Sequence, residues 1–218
     1  MVDPLLELES EDLGGLRIFD GERVALLGPS GAGKTQVLRA LVGLVAGAQV
    51  RLRGRRAAVS DVRAMIGWVP EGDGVFLDHT VLTNVAAPPH GERLPEDVAL
   101  DALDLVALAA RACEPVARLS RAERRRVALA RAIASRRPVL VVDGDLDPTL
   151  APLLPLVLEQ APHLKAVLTA GCQADDWAWD ADSVALVAEG RVVAQGPLAE
   201  LACRQDADVR GVLTWVMA

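Results

Sequence analysis

Along the chain, short apolar runs bounded by glycine, proline and charge alternate with longer stretches in which apolar residues recur every three or four positions. The runs "LLELE" and "RVALLG" predict strands. In "SGAGKTQVLRALVGL", Leu38, Leu41 and Val42 stand at helical spacing, so the order is strand, glycine loop, helix. "AMIGWVP" predicts another strand, and Pro88, Pro89, Gly91 and Pro95 mark "APPHGERLP" as an irregular linker. From Pro95 the pattern turns helical, with acids in the first turn and an apolar face of Val98, Ala102, Leu105, Val106 and Leu108. A further helix is expected from near Ser120. "PVLVVD", "KAVLTA", "SVALVA" and "RVVAQG" then predict strands, the last two joined as a hairpin at Glu189-Gly190. Alternating strands and helices imply a layered, mostly parallel α/β sheet with a β-rich N-terminal part, its ligand site at the carboxyl ends of the strands. Residues 75–117 read as a small helical subdomain inserted into a core of 1–74 and 118–218, all within one domain of 1–218.

Composition narrows this picture. A chain of 218 residues suits one domain with a sizeable core. Its most apolar stretch, from Leu150 to Leu158, is interrupted by Pro152 and Pro155 and is too short for a bilayer span. "MVDPLLELES" has no basic region leading into an apolar run, so a cytoplasmic location is expected. Cys113, Cys172 and Cys203 are far apart and form no CxxC pair, which argues against a disulfide framework or a zinc site. A net charge of −7 argues against nucleic acid as a partner. The basic run "RLSRAERRRVALARAIASRRP" therefore needs a local explanation.

"GPSGAGKT", Gly28 to Thr35, fits the G-x-x-x-x-G-K-[ST] pattern, and it follows a strand and opens a helix as that pattern requires. Gly28, Ser30, Gly31 and Gly33 let backbone N–H groups wrap a polyphosphate, and the helix N-terminus adds its positive dipole. Lys34 reaches the outer phosphates, the Thr35 hydroxyl ligates Mg²⁺, and Gln36 completes the candidate set. The bland alternative is a glycine turn capping a helix. A chance match in a chain of this length has odds on the order of one in a hundred at ordinary residue frequencies, which favours phosphate binding.

Three later stretches follow in order: "IGWVPEGDGVFLDHTVLTNVA" (66–86), "LSRAERRRVALARAIASRRPVLVVD" (119–143) and "VALVAEGRVVAQGPLAEL" (184–201). Together with the phosphate loop they resemble the nucleotide-binding subunit of ATP-binding cassette (ABC) transporters over nearly the whole chain. Within that family the stretches look most like the cell-division and lipoprotein-release exporter branch. The resemblance implies a RecA-like P-loop fold, ATP and Mg²⁺ as ligands, and a homodimer or heterodimer with ATP sandwiched between two cassettes. It also implies membrane-spanning partner subunits, through which alone the chain associates with the inner face of the membrane.

Against the family pattern this sequence departs at several positions. The signature LSGGQ reads Leu119, Ser120, Arg121, Ala122, Glu123, which puts a Cβ where two glycines let backbone approach a phosphate. Ser120 retains a donor, Arg121 either substitutes for the lost donors or points to solvent, and Arg124, Arg125 and Arg126 read as a solvated face. Asp143, ending "VLVVD", stands where the family holds Mg²⁺, and Glu71 replaces a metal-contacting glutamine. The family's catalytic Glu is Gly144 here. Asp145 is the nearest carboxylate and the weak catalytic candidate, shorter and expected to point elsewhere. "LDPTL" (146–150) resembles the D-loop but lies unusually close to Asp143. The switch histidine position is read as Ala170, with His79, His90 and His163 read as surface residues. Phe19 is the weak candidate for stacking on adenine, so base affinity is expected to be reduced.

With the base, the switch and the signature altered, the expectation is a subunit that holds nucleotide and hardly hydrolyses it. Whether the chain is an enzyme stays open. The leading reading is a degenerate ATP-binding subunit of an ABC transporter, against a soluble regulatory or scaffold protein on the same fold. An active ATPase with compensating residues and a small-molecule kinase are the further alternatives.

Overall fold

The computed structural model describes residues 3–72, 74–87, 93–146, 148–173 and 176–217. Among the described residues the strands run in chain order: β1 Leu6–Ser10, β2 Gly14–Ile18, β3 Arg23–Leu27, β4 Gln49–Leu52, β5 Arg55–Arg56, β6 Ile66–Val69, β7 Val139–Val142, β8 Ala166–Gly171, β9 Ser183–Ala188 and β10 Arg191–Gly196. Helices interleave with them: α1 Lys34–Leu41, α2 Val59–Met65, α3 Val81–Ala86, α4 Glu96–Leu105, α5 Arg121–Ala134, α6 Leu153–Gln160, α7 Asp176–Trp179, α8 Leu198–Ala202 and α9 Ala207–Val216. The linker at Pro88, Pro89 and Gly91, together with His90, lies outside the described residues, as does Asp147 of the D-loop-like stretch.

One compact unit comprises 1–66, 143–145 and 165–218. Its first sheet is antiparallel in the order β2-β1-β4-β5. In its second layer β3 lies between β8 and β9, parallel to both, and β10 pairs antiparallel with β9. The apolar run of β3, almost wholly buried, is what a strand covered on both faces requires. Between β9 and β10 the turn has Glu189 at φ 50° and Gly190 at φ 79°, the two left-handed residues that suit a tight hairpin. Val209, Val212, Leu213 and Val216 of α9 close a core with Val184 and Leu186 of β9.

The other unit comprises 67–142 and 146–164, and in it β7 and β6 are neighbours. It extends well beyond 75–117 because α5 packs on both α3 and α4. Helix α4 ends at Leu105, where Ala107 takes φ 55°, and it buries Ala99, Ala102 and Leu103. The predicted face is thus rotated: Val98 and Leu105 are half-buried, and Val106 and Leu108 are buried past the helix end. The arginine run is also corrected. Arg125 is buried, while Arg124 and Arg126 donate to the carbonyls of Ala117 and Val106, so these residues tie α5 to its surroundings rather than forming a solvated face. Arg121 is exposed.

Candidate functional site

Strand β3 delivers the glycine loop, and the loop delivers the N-terminus of α1. Gly31 at φ 79° and Gly33 at φ 93° occupy left-handed backbone, which turns the chain back on itself before the helix starts. Ala32 N–H donates to Pro29 O at 3.0 Å, and Gly190 N–H donates to Ala32 O at 2.7 Å, so the β9–β10 turn braces the loop from outside. Gly28 is buried, and a Cβ there would collide with the carbonyl oxygen of Val187. No side chain caps α1: Gly33 stands at its N-cap, with Gln36 and Val37 N–H closing onto Gly33 O. The first N–H groups of such a helix carry a partial positive charge directed along its axis, the arrangement that attracts anions.

Lys34 adds a full charge. Its ammonium donates to Gly28 O at 2.7 Å, to Pro29 O at 2.9 Å and to Cys172 Sγ at 3.3 Å. No carboxylate pairs with it among the described residues. Thr35 Oγ1 donates to Asp143 Oδ1 at 3.1 Å, and Asp143 is buried at the chain position following β7. The structure therefore brings Gly28, Gly31, Gly33, Lys34, Thr35 and Asp143 together. Ser30 and Gln36 are exposed on the same segment.

Gly144 follows with φ 84°, a conformation that disfavours any residue with a side chain. Asp145 Oδ1 accepts Cys172 N–H at 2.5 Å, so this carboxylate is engaged at the end of β8. Ala170 is buried within β8 opposite Leu26, and the residue that reaches Lys34 is Cys172, just past the strand. Sequence reasoning missed Cys172 because its signal, a thiol two positions beyond the expected histidine, is indistinguishable from a small apolar residue until the strand end is located.

Glu71 and Ser120 belong to the other unit, and both are exposed. Ser120 is the N-cap of α5 in a reciprocal capping box: its hydroxyl accepts Glu123 N–H, and Glu123 Oε2 accepts Ser120 N–H at 2.8 Å and the hydroxyl proton at 2.9 Å. Those bonds, the backbone one foremost, hold the Glu123 carboxyl below its ordinary pKa. Arg111 pairs with Glu123 and with Glu114, and the hydrogen bond to Glu114 is the largest cause raising the guanidinium pKa. His79 is exposed, whereas His163 is half-buried, and burial pushes its pKa down.

The arrangement suits a magnesium-bound polyphosphate. Among the described residues no group of three or more His, Cys, Asp and Glu is placed to hold a metal by itself. The Thr35 hydroxyl and the Asp143 carboxylate, 3.1 Å apart, are the oxygens that would hold such an ion beside the phosphates.

Comparison with known proteins agrees with this reading. The ABC transporter family model matches residues 15–147. The chain is 37% identical over 133 residues to the cytochrome c biogenesis ATP-binding export protein CcmA of Dechloromonas aromatica, covering 58% of this chain and 65% of that protein. It is 39% identical over 146 residues to the sulfate/thiosulfate import ATP-binding protein CysA of Methylococcus capsulatus, covering 61% of this chain and 42% of that protein. It thus spans less than two thirds of either relative. The structure of cbiO1 from Clostridium perfringens, part of the ABC transporter complex cbiONQ, superposes with a TM-score of 0.77 at 23% identity, covering 97% of this chain and 95% of that one, which establishes the fold. An export and an import protein match at similar identity, so these relatives do not select the cell-division and lipoprotein-release branch.

Proposed function

This chain belongs to the ABC transporter family, and we propose that it is an ATP-binding subunit that holds Mg-ATP on its phosphate loop while hydrolysing little of it unaided. The observation that carries the second half is the pair Gly144 and Asp145. The position after Asp143 has no side chain, and the neighbouring carboxylate is hydrogen-bonded to Cys172 N–H. Loss of a general base lowers rates by roughly 10²–10⁴. Lys34 and the glycine loop bind and orient the phosphates, and Thr35 and Asp143 hold Mg²⁺, which supplies charge neutralisation to the phosphate oxygens when bound.

The relatives' names describe ATP-binding export and import proteins, which supports a role beside membrane-spanning subunits, in a homodimer or with another cassette. Among the described residues no helix is long and apolar enough to cross a membrane. In this reading those partners carry the attachment to the cytoplasmic face. The test is calorimetry of Mg-ATP binding and phosphate release on one purified sample, with Lys34→Ala as control. Binding that Lys34→Ala abolishes, without turnover, is the expected result. Turnover abolished by Lys34→Ala sinks the claim of weak hydrolysis, and binding that survives Lys34→Ala sinks the phosphate-loop assignment.

A further inference from the structure

Val98, Ala102 and Leu105 lie on one apolar stripe of α4, yet only Ala102 is fully covered by protein. The other two face a cavity of about 310 Å³, contained within the unit of 67–142 and 146–164. That volume is at the small end of the range for ligand pockets, roughly 300–1,000 Å³. Buried Ile133 of α5 continues the apolar lining.

Three polar groups break it. Asp101 precedes Ala102 on α4, and Arg136 stands in the turn after α5; both are exposed. Arg136 has φ 51°, a left-handed position past a helix end that ordinarily takes glycine. Among the described residues neither side chain is in an ion pair, so an anion and a cation line one cavity without neutralising each other. The third group is His163, whose Nε2 is buried without a hydrogen-bond partner among the described residues. Burial, and then the charge of Arg136, push its pKa down, so near pH 7 the ring is neutral and offers one donor and one acceptor nitrogen.

We propose that this cavity binds a free zwitterionic amino acid with an aliphatic side chain, its carboxylate on Arg136, its ammonium on Asp101 and its side chain against Val98, Leu105 and Ile133. A fatty acid would set its carboxylate in the same cavity as Asp101 with nothing to offset that charge, and an amine would do the same to Arg136. Only a molecule carrying both charges satisfies both groups, and its polar end gives His163 Nε2 a partner. Lys34, Thr35 and Asp143 do not line this cavity, so the proposal stands apart from the nucleotide reading.

The experiment titrates the full chain with L-leucine, followed by ligand-detected nuclear magnetic resonance, beside isocaproate, which lacks the ammonium, and isoamylamine, which lacks the carboxylate. Leucine is expected to bind at one site, and each analogue about tenfold more weakly, the loss expected of one charged hydrogen bond. Arg136→Gln weakens leucine about tenfold without weakening isoamylamine, and Asp101→Asn weakens leucine as much without weakening isocaproate. Both residues are exposed, so neither substitution opens the core. No leucine binding up to about 10 mM overturns the proposal. Leucine binding that both substitutions leave unchanged puts the ligand elsewhere and overturns it as well. Isocaproate binding as tightly as leucine reduces the cavity to a carboxylate pocket and overturns the zwitterion.

Discussion

The segments at Gly28–Thr35 and Leu119–Glu123 each lead into a helix, and they satisfy that helix's first N–H groups in opposite ways. Helix α1 begins at Gly33 with no side-chain cap and with the Lys34 ammonium beside it. Helix α5 begins at Ser120 inside a complete capping box, with Glu123 also engaged by Arg111. An uncapped N-terminus with an added cation has electrostatic free energy to give to an anion; a capped one has a carboxylate already in that place. The difference teaches that two helix starts in one chain can treat an anion oppositely: α1 has no side chain of its own at its N-terminus, and α5 closes on its own carboxylate.

The largest expected effect comes from breaking the first segment. Gly33 has φ 93°, and a Cβ on it would lie 2.5 Å from Gly190 Cα, so both strain and collision oppose any side chain. Gly33→Ala is expected to cost about 3 kcal/mol in urea unfolding and to abolish calorimetric Mg-ATP binding. A variant that binds normally would show that the loop backbone is not what holds the phosphates.

A second substitution asks whether hydrolysis can be restored by chemistry alone. Gly144→Glu returns the family's carboxylate, yet Gly144 sits at φ 84°, where a side chain costs about 1–2 kcal/mol. The expected outcome is lower stability, with phosphate release still close to background. Turnover rising a hundredfold would mean that the missing carboxylate was the sole lesion.

How far these features were readable beforehand depended on the range of the interactions involved. The phosphate loop, the fully buried strands and the Glu189-Gly190 hairpin are written in contiguous residues, because each follows from local backbone conformation and a short apolar run. Of the apolar face expected around α4, Ala102, Val106 and Leu108 are buried, while packing on α3 and α5 also buries Ala99 and Leu103 and leaves Val98 and Leu105 half-buried. Charge alone predicts exposure for Arg125, and only the packing of α5 shows it buried. The Lys34–Cys172 and Asp145–Cys172 contacts join residues far apart in sequence, and no local pattern announces them. Ser120 and Glu123 stand in the signature position, and only the structure shows that the Ser120 hydroxyl is bound to Glu123 in a capping box.

Ser120→Ala sharpens the comparison at smaller magnitude. Loss of an N-cap hydroxyl costs about 1 kcal/mol. The isolated chain is expected to lose that much stability and to bind Mg-ATP with unaltered affinity. A weakened Kd in the monomeric chain would tie Ser120 to the nucleotide within one subunit.

The smallest effect is a pH dependence confined to the second segment. The folded pKa of Glu123 lies below its ordinary value of 4.5, because the Ser120 N–H and hydroxyl, and then Arg111, favour the ionised form. A depressed carboxyl pKa gives stability that is complete above the unfolded value and lost as pH falls through the folded one. For a side chain this exposed the contribution is under about 1 kcal/mol. Glu123→Gln keeps a capping-box acceptor while removing the proton equilibrium, so its unfolding free energy near pH 7 should change little. From pH 4.5 downward it should fall less steeply than that of the parent chain. Urea titrations at neutral and acid pH measure both slopes, and identical slopes would mean that Glu123 titrates no differently in the folded and unfolded chain. If the flatter slope is found, the carboxylate at the start of α5 is internal structure, and the contrast with the uncapped start of α1 stands.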